Sequence, residues 1–103
     1  LPDDIGSLSS LSLIYLGANC LDQLPSSIGG LEGAEILSLY ENQLTSLPPT
    51  IGNLVSLTSL NVASNRLTEL PPEIGDLPCL VELIANQNEI IEIPIELGSI
   101  ETL

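Results

Sequence analysis

Fourteen carboxylates, two thiols and no imidazole are the reactive groups of this 103-residue chain. The absence of His removes the commonest general base and the commonest metal ligand, so no Ser or Cys can be activated in a His-based pair. Carboxylates alone could form a glycosidase pair or hold a cation. They fall into columns, Glu69 over Glu92 and Glu73 over Glu96, with Asp76, Glu82, Glu89 and Glu101 nearby, and eight of the fourteen lie after residue 68. No D-x-[DN]-x-[DN]-G loop or comparable ligand spacing accompanies them, so a solvated acidic face is expected. The glycines never cluster as G-x-x-x-x-G-K or G-x-G-x-x-G, which leaves a phosphate or dinucleotide loop without support. No catalytic residue, cofactor site or metal site is expected, and the chain reads as non-enzymatic.

Against the fourteen acids stands one base, Arg66, for a formal net charge of −13. Charged residues make up only 15% of the chain, below the usual share of about 25%, so the imbalance reflects missing Lys and Arg rather than added acid. Neutralising a phosphate backbone takes several cationic contacts, which excludes nucleic acid and anionic membrane surfaces as partners, whereas a basic protein patch would be attracted. No apolar run reaches the roughly 18 residues of a membrane span, and no basic stretch leads into an apolar one. With no Asn-x-Ser/Thr triplet, a cytoplasmic setting is expected. Met is absent even from position 1, which reads as a piece of a longer chain.

What positions these groups is a repeat. LPDDIG at residue 1 returns as LPSSIG at 24, LPPTIG at 47, LPPEIG at 70 and IPIELG at 93, a constant spacing of 23 residues. Four complete copies (1–23, 24–46, 47–69, 70–92) and a partial fifth (93–103) tile the chain as a single array with no linker. A period of this length marks a stack of units, none of which buries its apolar side alone. Seven columns are apolar in nearly every copy; in the third they are Leu47, Ile51, Leu54, Leu57, Leu60, Val62 and Leu67. The every-third-residue spacing of Ile51, Leu54 and Leu57 predicts a 3₁₀ or short helical turn, whereas the alternation of Leu60 and Val62 predicts a strand.

Pro in the second column and Gly in the sixth (Gly6, Gly29, Gly52, Gly75, Gly98) are expected to shape a close-packed corner. At the other corner Asn19, Asn42, Asn65 and Asn88 stand 23 apart. An amide at one fixed place among apolar columns needs partners, so the four are read as a buried ladder bonded to backbone groups. Cys20 and Cys79 belong to copies one and four, three strand steps or roughly 14 Å apart. That exceeds disulfide reach, so both are expected to be free thiols. Arg66 and Glu89 share a column and should form a weak surface pair. Ala34 and Ala85 replace larger residues of their core columns, which marks copies two and four as the softer ones.

LTSLNVASNRL, LSLIYLGANCL and EILSLYENQL resemble the leucine-rich-repeat consensus L-x-x-L-x-L-x-x-N-x-L. With LPxxIG following, the 23-residue form is similar to Ras-group repeats of small-GTPase-associated scaffolds and to bacterial repeats. The resemblance covers the whole chain and implies an α/β solenoid, an arc with short parallel strands on its concave face and helical turns on its convex face. It also implies an intracellular signalling scaffold around a small GTPase.

In each strand the residues between the core positions face the concave side. These are Leu13, Tyr15 and Gly17, then Ile36, Ser38 and Tyr40, then Ser59, Asn61 and Ala63, then Glu82, Ile84 and Asn86. They vary from copy to copy while the framework does not, so they are read as the recognition surface for another protein. Both aromatic residues, Tyr15 and Tyr40, lie there, and Tyr is frequent among interface anchors. Leu13, Ile36, Ser38, Asn61, Glu82, Ile84 and Asn86 complete the expected partner-binding set. Self-association through uncapped ends is a further expectation. Two other readings are a targeting domain of a larger enzyme or bacterial effector and a structural or designed array.

Overall fold

The computed structural model describes residues 12–89. Within them each copy contributes one three-residue strand: β1 (Leu13–Tyr15), β2 (Ile36–Ser38), β3 (Ser59–Asn61) and β4 (Glu82–Ile84). The strands form one parallel sheet in the order β1-β2-β3-β4. Register follows the repeat without slippage, so Ile14, Leu37, Leu60 and Leu83 lie side by side in one row. All four are buried, and the alternate positions project from the other face.

Between strands the chain crosses to the opposite side through 3₁₀ turns at Ser26–Gly30, Pro49–Asn53 and Pro72–Asp76. Each starts from a Pro with φ between −66° and −68°, the value that the pyrrolidine ring imposes. In the third copy i→i+3 bonds run Ile51 N–H to Pro48 O (3.1 Å), Leu54 N–H to Ile51 O (3.3 Å) and Leu57 N–H to Leu54 O (3.1 Å). This hydrogen-bond path uses the same three apolar columns that signalled the turn, and Ile51, Leu54 and Leu57 are fully buried. Burying one such side chain stabilises by about 1.5 to 3 kcal/mol.

Gly29 and Gly52 explain the invariant corner. A Cβ on Gly29 would lie 2.6 Å from the Thr50 carbonyl oxygen, and one on Gly52 would lie 2.8 Å from Glu73 Cβ. Neither glycine has positive φ, so both serve close approach of successive turns rather than a special dihedral. Thr50 Oγ1 donates to the Ser26 carbonyl at 2.6 Å across the same junction.

A second column carries the dihedral strain, apart from Cys20 with φ 56°. Ala18, Glu41, Ser64 and Gln87 all have φ between 55° and 58°, a left-handed conformation costing about 1 to 2 kcal/mol in a residue with a Cβ. The bend is held by the next copy: Ala18 N–H donates to Tyr40 O, Glu41 N–H to Ala63 O and Ser64 N–H to Asn86 O, at 2.9 to 3.1 Å. Each bend delivers the following Asn into the corner.

There the amides of Asn42 and Asn65 are buried. Asn42 Oδ1 accepts from Leu21 N–H (2.9 Å) and Asn19 N–H (3.1 Å), while its Nδ2 donates to Leu16 O (2.9 Å) and Leu39 O (3.0 Å). Asn65 accepts from Leu44 N–H at 3.1 Å and donates to the carbonyls of Leu39, Val62 and Ala63 at 2.9 to 3.1 Å. Asn88 repeats the pattern half-buried, accepting from Leu67 N–H and donating to Val62 and Ala85 carbonyls. Asn19 departs from the expected buried ladder: it is exposed, and its Nδ2 donates to Gly17 O within its own turn. Asn42, Asn65 and Asn88, by contrast, each tie their copy to the one before.

Cys20 and Cys79 are exposed and unbonded. Among the described residues no ion pair joins Arg66 to Glu89, both of which are exposed; two solvated side chains gain too little from pairing to hold one geometry. Ala34 is completely buried and Ala85 half-buried against the core. Glu92, Glu96 and the partial fifth copy lie outside the described residues.

Candidate functional site

The concave face is a grid whose rows are fixed by the strand register. One row runs Leu13, Ile36, Ser59, Glu82 and the next Tyr15, Ser38, Asn61, Ile84. The bend bonds continue the array into a third row of Gly17, Tyr40, Ala63 and Asn86. All nine expected contact residues therefore share one surface, but they differ in exposure. Leu13 is 55% exposed, Tyr15 66% and Tyr40 42%, whereas Ile36, Ser38, Asn61 and Ile84 are half-buried. Ala63 is almost completely covered, being smaller than its row neighbours Tyr40 and Asn86.

Two halves of different chemistry result. In copies one and two Leu13 and Ile36 are register partners, and Tyr15 and Tyr40 follow on the next two rows. Gly17 sits directly beside Tyr40, with 3.1 Å between its would-be Cβ and the Tyr40 carbonyl oxygen. In copies three and four the polar side chains satisfy one another or the backbone: Ser59 Oγ donates to Glu82 Oε1 at 2.8 Å, Asn61 Oδ1 accepts from Ala63 N–H at 3.0 Å, and Ser64 Oγ donates to Gln87 Oε1. The split was visible in the sequence only as the confinement of both tyrosines to the first two copies. The left-handed column was not visible, because Ala, Glu, Ser and Gln share no side-chain signature.

Tyr40 carries the perturbed acidity of this face. Hydrogen bonding to the adjacent Glu41 carboxylate, and then the negative charge itself, hold its phenol above the usual tyrosine range. Among the described residues no group of three or more His, Cys, Asp or Glu could hold a metal, and no helix is long and apolar enough to cross a membrane. No buried side-chain nitrogen or oxygen among them lacks a hydrogen-bond partner.

The model for paired leucine-rich repeats matches residues 35–72, which span β2, the corner amides of copies two and three, and β3. Among solved structures, the leucine-rich-repeat protein LIC12759 of Leptospira interrogans is 36% identical over 100% of this chain and 33% of its own, with a TM-score of 0.82. An internalin of Listeria monocytogenes is 26% identical over 98% of this chain and 29% of its own, at 0.80. A PEPR1–AtPEP1 structure is 36% identical over 100% of this chain and 15% of that chain, at 0.78. The chain thus spans at most about one third of the length of these structures. No curated protein sequence matches it significantly. The matched motif falls on the strand, bend and amide corner described above; residues 35–72 carry two leucine-rich repeats, and over its whole length the chain has the fold of leucine-rich-repeat proteins.

Proposed function

We propose that the chain is a non-catalytic recognition module that holds another protein against its concave sheet, anchored on Tyr15 and Tyr40 with Leu13 and Ile36 beside them. The single observation that carries this reading is the exposure of three large apolar side chains, Leu13, Tyr15 and Tyr40, on one half of a sheet. Stacked repeats create extended concave surfaces suited to such contacts, and aromatic side chains with a polar end are frequent interface anchors. The resemblance to Ras-group repeats extends the proposal to an intracellular signalling scaffold, with a small GTPase as the partner class.

A position-specific test needs no knowledge of the partner. A photo-crosslinking benzophenone residue is placed at position 40 of the full-length protein in its own cell, and in a second strain at position 55. Val55 is also exposed but lies outside the sheet. Crosslinked species specific to position 40 are expected, and equal yields from both positions would overturn the reading. Titration of the chain with purified small GTPases in their GDP and GTP forms tests the narrower part; binding by none of them removes it.

A further inference from the structure

We infer that the partner segment is basic as well as apolar, and that it crosses the strands in an extended conformation with Lys or Arg over Glu82 and an apolar side chain over Leu13, Ile36 and the two tyrosines. This rests on the recognition reading above. Two features of the face carry the inference. The first is the division of chemistry, in which the most exposed apolar side chains, Leu13, Tyr15 and Tyr40, belong to copies one and two, while Ser59 of β3 bonds Glu82 of β4 and Asn61 bonds the Ala63 backbone. The second is charge. Glu35 and Glu41 flank β2, Glu82 opens β4, and all three are exposed. The one base of the sequence, Arg66, lies outside the strands. A chain of net charge −13 draws cationic segments towards it, and a polar, self-satisfied surface with one exposed carboxylate suits a cation better than an apolar group.

Distance turns this into a spacing rule. Ile36 and Glu82 share a row and are two strand steps apart, roughly 10 Å. An extended segment covers that in about three residues. The recognised motif is therefore an aliphatic or aromatic residue with a Lys or Arg about three positions away. Steering by the whole acidic chain would favour any cationic peptide; the spacing is what this particular sheet adds.

The test is selection of a displayed library of random twelve-residue peptides on the full chain, followed by affinity measurements on the recovered peptides. Recovered sequences are expected to pair an apolar residue with a basic one about three positions away. Tyr40→Ala should weaken them by about 30-fold, and Glu82→Lys by at least about 5-fold. Exchange of the peptide's Lys for Glu should restore binding to the Glu82→Lys variant. Recovered peptides that depend on Tyr40 but lack a basic residue, or in which basic residues show no fixed spacing, would overturn this inference and leave the recognition reading standing. Peptides indifferent to Tyr40 and Tyr15 would overturn both, as would recovery of no peptide above background.

Discussion

The amide corner and the concave sheet are built from the same 23-residue copies, yet they obey opposite rules. At the corner one residue type recurs and every bond is made to backbone: Asn65 reaches the carbonyls of Leu39, Val62 and Ala63 and the N–H of Leu44. On the sheet, three rows of side chains change from copy to copy and several remain open to solvent. The difference teaches where repetition is required. A backbone group that is presented identically in each copy needs an identical partner, whereas side chains open to solvent carry no such demand and are free to vary.

Substitutions separate the two regions by what they change. The largest expected effect is on the core rows beneath the sheet: Leu60→Ala should lower unfolding free energy by about 2 to 5 kcal/mol in chemical denaturation. Asn65→Ala should follow with about 1 to 3 kcal/mol, because it orphans buried carbonyls and an N–H. Asn19→Ala should cost less than about 1 kcal/mol, since that amide is exposed and bonds only Gly17 O among the described residues. Equal losses at positions 19 and 65 would contradict the directional coupling between copies. At the bend, Ala18→Gly should stabilise by up to about 1 kcal/mol, because its φ of 58° suits glycine.

The smallest effect is electrostatic. Glu41→Gln removes the acceptor and charge that hold the Tyr40 phenol up, so ultraviolet titration should show its ionisation moving to lower pH. A folded-state value raised above the unfolded one favours the fold below the usual phenol range, and this contribution is lost as pH rises through the folded value. Tyr40 is solvent-exposed, so the effect should be read from the titration rather than from stability.

Most of the fold was legible in the sequence because its signals are periodic. The spacing of Ile51, Leu54 and Leu57 marked a 3₁₀ turn, and Leu60 with Val62 marked a strand. The left-handed column at Ala18, Glu41, Ser64 and Gln87 was not legible, since at the first three the bend is held by carbonyls of the next copy rather than by any side chain. Nor was the exposure of Asn19. Of the proposed recognition surface, the sequence placed the residues that share the face. It did not supply the hydrogen bonds from Ser59 to Glu82 or from Ala63 to Asn61, which leave copies three and four polar and engaged while copies one and two stay open.

The separation of framework from recognition surface is tested most directly by the Tyr15→Ala/Tyr40→Ala double variant, with unfolding and binding of a selected peptide measured on the same sample. Both rings stand on the exposed side of the sheet, so the unfolding free energy should change by no more than about 0.5 kcal/mol. Affinity should fall by at least about 30-fold. Unchanged affinity in a folded double variant would contradict the assignment of recognition to this face.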